Sequence, residues 1–192
     1  MVPAPSWVSY GPQAKIRSKT FITIPTDRKN CYRLQAEELE KTCTRQKSPQ
    51  KLLILNNPNN PTGSVHSPDE LQDLAEVCRK HGVIVISDEI YALTNFGDQP
   101  FSGMANFFAE GTITTSGISK AYSAGGWRLG FAMIPNELAE IVPPLSAFVS
   151  ETFSCVSAPV QYGALPGFEN YESVRNHVER CRDIHSAAGH FL

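Results

Sequence analysis

Residues 52–86 carry the most restrictive pattern in the chain: two apolar runs, LLIL (Leu52–Leu55) and VIVI (Val83–Ile86), flank a helix whose two ends are both written in the sequence. Ser67 can cap that helix, Pro68 suits its first position, and Glu70 completes a capping box. Leu71, Leu74, Ala75 and Cys78 then form one apolar stripe at helical spacing, and Gly82 supplies the stop. A strand, a helix and a strand joined this closely predict a right-handed crossover between parallel strands. Three further short runs read as strands, Phe21–Ile24, Thr112–Thr115 and Leu129–Ile134. Their near-continuous apolarity predicts an α/β fold whose parallel or mixed sheet is covered by helices on both faces.

Two more helices are expected, over Leu34–Thr42 and from Glu169 to about His190, the latter with Val174, Val178, Cys181 and Ile184 on one side. Pro143-Pro144 and the stretch around Leu165-Pro166-Gly167 predict shorter segments in between. Arg79 and Lys80 read as a solvated helix end complementing the dipole. The segment VPAPSW near the start reads as the end of a strand and its following loop, so the chain is expected to be a piece of something longer.

Composition narrows the function classes. A chain of 192 residues with a net charge of −2 and 41% apolar residues is an ordinary globular domain, without the basic surplus of a nucleic-acid binder. No apolar run approaches the roughly 18 residues that span a bilayer, and MVPAPSWVSY lacks the basic-then-apolar order of a signal peptide. Five cysteines with no CxxC pair argue against a disulfide framework or a zinc ribbon. These features predict a cytoplasmic protein that works on small molecules, away from membranes and nucleic acids.

In open α/β sheets, ligands bind beyond the carboxyl ends of the strands. There the chain places NNPNNPTG after LLIL, SDEIY after VIVI and SGISK after TITT. Asp88 ends an apolar strand, where a carboxylate is costly unless it meets a cation or several donors. Lys120, in a similar place, is either ion-paired or held with a lowered pKa that makes its amine nucleophilic, as Schiff-base chemistry requires. Tyr91 offers a phenol near Asp88, and Asn60, restricted by Pro61, can present its amide to a ligand. Arg128, framed by Gly125, Gly126 and Gly130, forms a phosphate-binding set with Ser116 and Ser119. One cofactor answers all four chemistries: pyridoxal 5′-phosphate has a cationic ring nitrogen, an aldehyde, a phenolic oxygen and a phosphate.

The segments NNPTG, SDEIY and SKAYSAGGWRLG, in this order and with Lys120 and Arg128 eight apart, resemble the signatures of the class I/II aminotransferases, fold-type I pyridoxal-phosphate enzymes. The resemblance runs from about Val2 to the end of the chain. It implies a three-layer α/β sandwich with a mainly parallel sheet, residues 1–192 being part of the cofactor-binding large domain. The helix over about 169–192 would lead towards a small domain that the chain lacks. Also without a counterpart are the family's N-terminal phosphate loop, a tyrosine contributed across the homodimer, and the small-domain arginine that binds the substrate carboxylate. The resemblance implies amino-group transfer between an amino acid and a 2-oxo acid. Lys120 would form the Schiff base and carry the proton, Asp88 would keep the ring nitrogen protonated, and Tyr91 and Asn60 would bond the phenolic oxygen. Arg128 would clamp the phosphate, and Trp7 would line the substrate side of the ring. The family's hydroxyl three residues before the lysine is replaced by Gly117, which leaves Ser116 and Ser119 as alternatives.

Other readings compete. The same motifs serve carbon–sulfur lyases and cyclopropane-forming synthases of this fold, and a chain lacking both flanking regions fits a catalytically silent binding or assembly module. Trp7 can equally be a buried core residue. His177, Cys181 and His185, four apart on a helix, could face one side, but Cys181 belongs to the apolar stripe and nothing completes a usual metal set.

Overall fold

The computed structural model describes residues 1–96 and 100–191. Three parallel strands, β3 (Lys51–Asn56), β4 (Val83–Asp88) and β5 (Thr112–Gly117), form the centre, and β6 (Gly130–Met133) runs antiparallel on the far side of β5. A small parallel pair, β1 (Val2–Ala4) and β2 (Thr23–Pro25), is joined to β3 through Met1, whose carbonyl accepts from Ile54 N–H at 3.0 Å. Register aligns the strand termini: Asn56 pairs with Asp88 and Asp88 with Thr115, so β3 and β4 finish level and β5 runs on to Gly117 at the same edge.

The helix between β3 and β4 forms as its residues dictate. In α3 (Pro68–His81), Glu70 N–H donates to Ser67 Oγ, while Ser67 N–H donates to Glu70 Oε2 at 2.9 Å. Gly82 closes it in the left-handed region at φ 60°. Its stripe, Leu71, Leu74, Ala75 and Cys78, packs with Leu39 and Cys43 of α2 (Ala36–Arg45) onto Leu53, Leu55, Val83 and Val85 of the sheet. Burial of these side chains, at about 1.5–3 kcal/mol for each large one, is the main stabilisation of this half of the molecule.

The two-faced burial expected of the strands is realised on one face. Along β4, Val83, Val85 and Ser87 are buried, while Ile84, Ile86 and Asp88 on the alternate face are partly exposed. Both α2 and α3 pack on the first face, and β6 is exposed along its length. Phe131 of β6 does meet Phe168 edge-on, with ring centroids 5.6 Å apart, and that contact places α5 (Ala158–Glu169) beside β6.

The C-terminal third is divided into short segments, as expected. Pro143 and Pro144 lie in the first turn of α4 (Val142–Thr152), which follows a short helical turn over Asn136–Ile141, because the first turn of a helix needs no N–H donors. Pro166 lies inside α5, which reaches Glu169. The last helix, α6 (Glu172–Phe191), therefore starts three residues later than the apolar stripe suggested, and only Val178 of that stripe is fully buried, Ile184 being 67% exposed. A short helix, α1 (Tyr10–Ile16), has no sequence signal of its own. Arg79 and Lys80 are exposed at the end of α3 as expected, and Arg79 also pairs with Glu110 at 2.6 Å and lies over the Phe108 ring. No helix among the described residues is long and apolar enough to cross a membrane.

A buried histidine ties the loop after β3 to this core. His66 N–H donates to Asn57 Oδ1 at 3.0 Å, and His66 Nε2 accepts from Leu34 N–H at 3.1 Å, leaving Nδ1 without a partner among the described residues. Burial pushes this imidazole down to about 4 from its ordinary 6.5. The folded state therefore binds the proton less readily than the unfolded chain, so this contribution is complete above about pH 6.5 and is lost as pH falls towards 4. Urea unfolding is expected to show a loss of about 3 kcal/mol across that window. The His66→Gln variant should lack this part of the pH dependence, and an unchanged slope would show that His66 is not its source.

Candidate functional site

The carboxyl ends of β3, β4 and β5 bring their three loops together around a cavity of about 490 Å³, within the range of small-molecule sites. Its lining includes all eight residues singled out in the sequence: Trp7, Asn60, Asp88, Tyr91, Ser116, Ser119, Lys120 and Arg128. A neighbouring cavity of about 610 Å³ shares Arg128, but its other lining residues are chiefly apolar, among them Trp127, Phe153, Val156 and Val160. The cluster of carboxylate, phenol, amine and guanidinium belongs to the smaller one.

Asp88 sits at the last position of β4, with its backbone fixed by two neighbours from the β3 end: Asn56 Nδ2 and Asn57 N–H both donate to its carbonyl, at 2.9 and 3.1 Å. Its carboxylate meets two donors of the chain itself: Oδ2 accepts a 2.6 Å hydrogen bond from the Tyr10 hydroxyl, and Oδ1 accepts from Ile90 N–H at 3.3 Å. Tyr10 is 6% exposed, and burial together with the facing carboxylate pushes its phenol well above the ordinary range, so it stays a donor at any physiological pH. Two donors leave further lone pairs on Asp88 for a ligand.

Asn60 follows β3 in a loop held by Asn56, whose Oδ1 accepts from Asn60 N–H at 2.7 Å. The Asn60 amide points at Tyr91, with Nδ2 3.5 Å from the phenolic oxygen. Lys120 lies near that ring, its Nζ 5.7 Å from the centroid, and no ion pair holds it among the described residues. Of the two sequence readings of Lys120, the ion-paired one finds no partner among the described residues.

Arg128 adopts a left-handed backbone at φ 56°, a conformation that costs a non-glycine residue about 1 kcal/mol or more and is concentrated at functional sites. Its guanidinium is steadied by Gly125 O, which accepts from Nη1 at 2.7 Å. The two serines differ: Ser116 Oγ donates to Glu89 O at 3.4 Å, whereas no hydrogen bond engages the Ser119 hydroxyl among the described residues. Gly117 stands where it does for a steric reason. A Cβ there would come within 2.7 Å of Leu129 O across the β5–β6 ladder, so no serine fits. Trp7 is not a core residue: it is 41% exposed, lines the cavity and meets Tyr10 edge-on at 5.3 Å. The helical trio separates, His177 and Cys181 approaching each other without exposed His185, and no group of three metal-ligating side chains forms among the described residues.

The sequence model of the aminotransferase class I and II family matches residues 1–191. The chain belongs to that family. It is 34% identical, over 95% of its length, to the probable aspartate/prephenate aminotransferase of Aquifex aeolicus, and 34% identical to the aspartate aminotransferase of Pyrococcus abyssi. Among solved structures, the aromatic aminotransferase from Pyrococcus horikoshii superposes with a TM-score of 0.85 at 31% identity, covering 95% of this chain and 48% of that one. Aspartate aminotransferase from Thermus thermophilus with maleate gives 0.85 at 28% identity, covering 95% and 46%. The fold is thus the α/β fold-type I arrangement with its mostly parallel sheet. The chain spans about half the length of the curated relatives it matches, 47% of the Aquifex protein and 48% of the Pyrococcus abyssi one.

The donor set of this aminotransferase-family chain fits pyridoxal phosphate: a carboxylate with spare lone pairs, an amide beside a phenol, an amine and a serine hydroxyl without partners among the described residues, and an arginine nearby. Sequence reasoning missed Tyr10 and Asn56, because their partners lie 78 and 32 residues away along the chain. Tyr10→Phe removes a hydrogen bond to a charged acceptor, and urea unfolding is expected to register a loss of about 1.5–3 kcal/mol. A loss under about 0.5 kcal/mol would mean that water replaces the phenol.

Proposed function

We propose that this chain forms the lysine-bearing part of a pyridoxal-phosphate-dependent aminotransferase that moves an amino group between an amino acid and a 2-oxo acid. The observation that carries the reading is the convergence of Lys120, Asp88, the Asn60–Tyr91 pair and Arg128 on one cavity at the carboxyl edge of the sheet. When bound, the cofactor supplies an aldehyde that condenses with amines and an electron-poor ring that takes up the electrons of a breaking Cα–H bond.

The chain's own residues do the rest. Lys120 Nζ is the amine that reaches the aldehyde and the base that moves a proton at the substrate Cα. Asp88, oriented by the Tyr10 hydroxyl, would hold a proton on the ring nitrogen. Asn60 and Tyr91 donate to the phenolic oxygen, and Arg128 with Ser119 binds the phosphate, Ser116 being engaged by Glu89 O. Trp7 closes the substrate side of the ring and excludes water. Relatives named for aspartate, prephenate and aromatic amino acids support a dicarboxylic or aromatic substrate class. We also propose a homodimer, supported by exposed aromatic side chains beside the cavity, Trp127 at 50% and Phe153 at 62%.

The test is an absorbance spectrum of the purified chain with pyridoxal phosphate, before and after borohydride, followed by incubation with aspartate or tyrosine and 2-oxoglutarate. A visible-edge band fixed by borohydride on Lys120, and formation of glutamate, are the expected results. Pyruvate and ammonia from a sulfur amino acid would indicate a lyase. Absence of any band would indicate a binding or assembly module.

A further inference from the structure

The turn that follows Lys120 is gripped by α6 through three side chains that the proposed reaction does not use. Ser123, whose N–H donates to Lys120 O at 3.0 Å, adopts a left-handed backbone at φ 54° and points its hydroxyl at α6. There, Ser123 Oγ lies 3.1 Å from His177 Nε2 and 3.7 Å from Cys181 Sγ, and the same Nε2 is 3.5 Å from Cys181 Sγ. The spacing of four residues puts His177 and Cys181 on one face of the helix, so a single imidazole nitrogen faces both a thiol and a hydroxyl.

This is the arrangement in which a thiol gives its proton to an adjacent base and the sulfur, left with its charge, is met by N–H and O–H donors. The other cysteines lack it. Cys43 and Cys78 are buried in the core, Cys31 and Cys155 are exposed, and none of them is hydrogen-bonded to a histidine among the described residues. Cys181 is partly exposed, so a small reagent can reach it.

We propose that Cys181, with His177 as its proton acceptor and Ser123 as its second partner, is a thiol site that takes up small disulfides. In the step, the Cys181 proton passes to His177 Nε2 and Sγ attacks one sulfur of the disulfide. A new Cys181 disulfide bond forms, the old sulfur–sulfur bond breaks, and the other half leaves as a thiolate that recovers the proton. The small disulfide is reduced to one free thiol as Cys181 is oxidised to the mixed disulfide, so no other redox partner is needed.

Ellman's reagent, the aromatic disulfide, is the probe. Added below one equivalent to the purified chain at neutral pH, with labelled peptides located by mass spectrometry, it is expected to modify Cys181 about ten times faster than exposed Cys31 and Cys155. His177→Asn, a change on an exposed helix surface, should bring Cys181 down to the rate of those two and leave theirs unchanged. Ser123→Ala should give a smaller fall in the same direction. Continued silence of Cys43 and Cys78 reports that each variant is folded. Labelling of Cys181 no faster than Cys31 and Cys155, or a rate indifferent to His177, would overturn the proposal.

Discussion

If the chain works as proposed, Lys120→Ala is expected to leave no cofactor fixed to it by borohydride and to lower turnover by about 10⁴-fold or more, because one side chain would supply the amine and accept the proton. The fold should not notice. Lys120 is exposed towards the cavity, it has no ion pair among the described residues, and its nearest ring contact is 5.7 Å from Nζ to the Tyr91 centroid. Unfolding by urea should therefore stay within about 0.5 kcal/mol of the parent. A small primary amine such as methylamine, added to the variant, should restore part of the rate, since the cavity left by the side chain admits it and the lost function is a proton acceptor. A variant that keeps more than about a tenth of parental turnover in a steady-state assay would remove Lys120 from the chemistry.

The second large effect belongs to Asp88, and it separates catalysis from stability. Asp88→Asn preserves the shape and an acceptor for the Tyr10 hydroxyl and for Ile90 N–H, but takes away the charge that, in the proposed function, would hold a proton on a ring nitrogen. Turnover is expected to fall by about 10²–10³-fold, the scale of losing one preorganised electrostatic partner, while the urea midpoint barely moves. Asp88→Ala should add a stability loss of about 1–3 kcal/mol, because it leaves a buried phenol without its acceptor. Equal turnover in the Asn variant and the parent would show that Asp88 only anchors Tyr10. A destabilised Asn variant would show that the hydrogen bond needs the charge.

The readability of the site in the sequence depends on where each partner comes from. Every residue that acts from the end of its own strand, Asn60, Asp88 and Lys120 above all, could be found from the change between an apolar run and a polar segment. The helix α3 was equally legible, because its cap, stripe and stop are local and each satisfies backbone groups within a few residues. Tyr10 was not legible: its hydroxyl meets Asp88 only once β1 has been placed beside β3 through Met1. The same holds for the steric role of Gly117, which depends on the antiparallel return of β6 with Leu129 O close by. Pro143 and Pro144 marked a segment boundary, but not whether a helix starts or stops there, since the surrounding residues give no local cap to decide.

From the sequence alone came the α/β class, the βαβ crossover and the polar residues Asn60, Asp88, Tyr91, Lys120 and Arg128 of the cavity, which rest on periodicity or on polar groups placed next to apolar strands, while Trp7 came from the family resemblance. Only the tertiary structure decided which partners those residues have among the described ones: the Tyr10 hydroxyl on Asp88, no ion pair for Lys120, Ser119 left free while Ser116 is engaged, and the Ser123–His177–Cys181 cluster. Strand register and helix packing set those distances, and both are established by contacts between residues far apart in the chain, which no local pattern encodes.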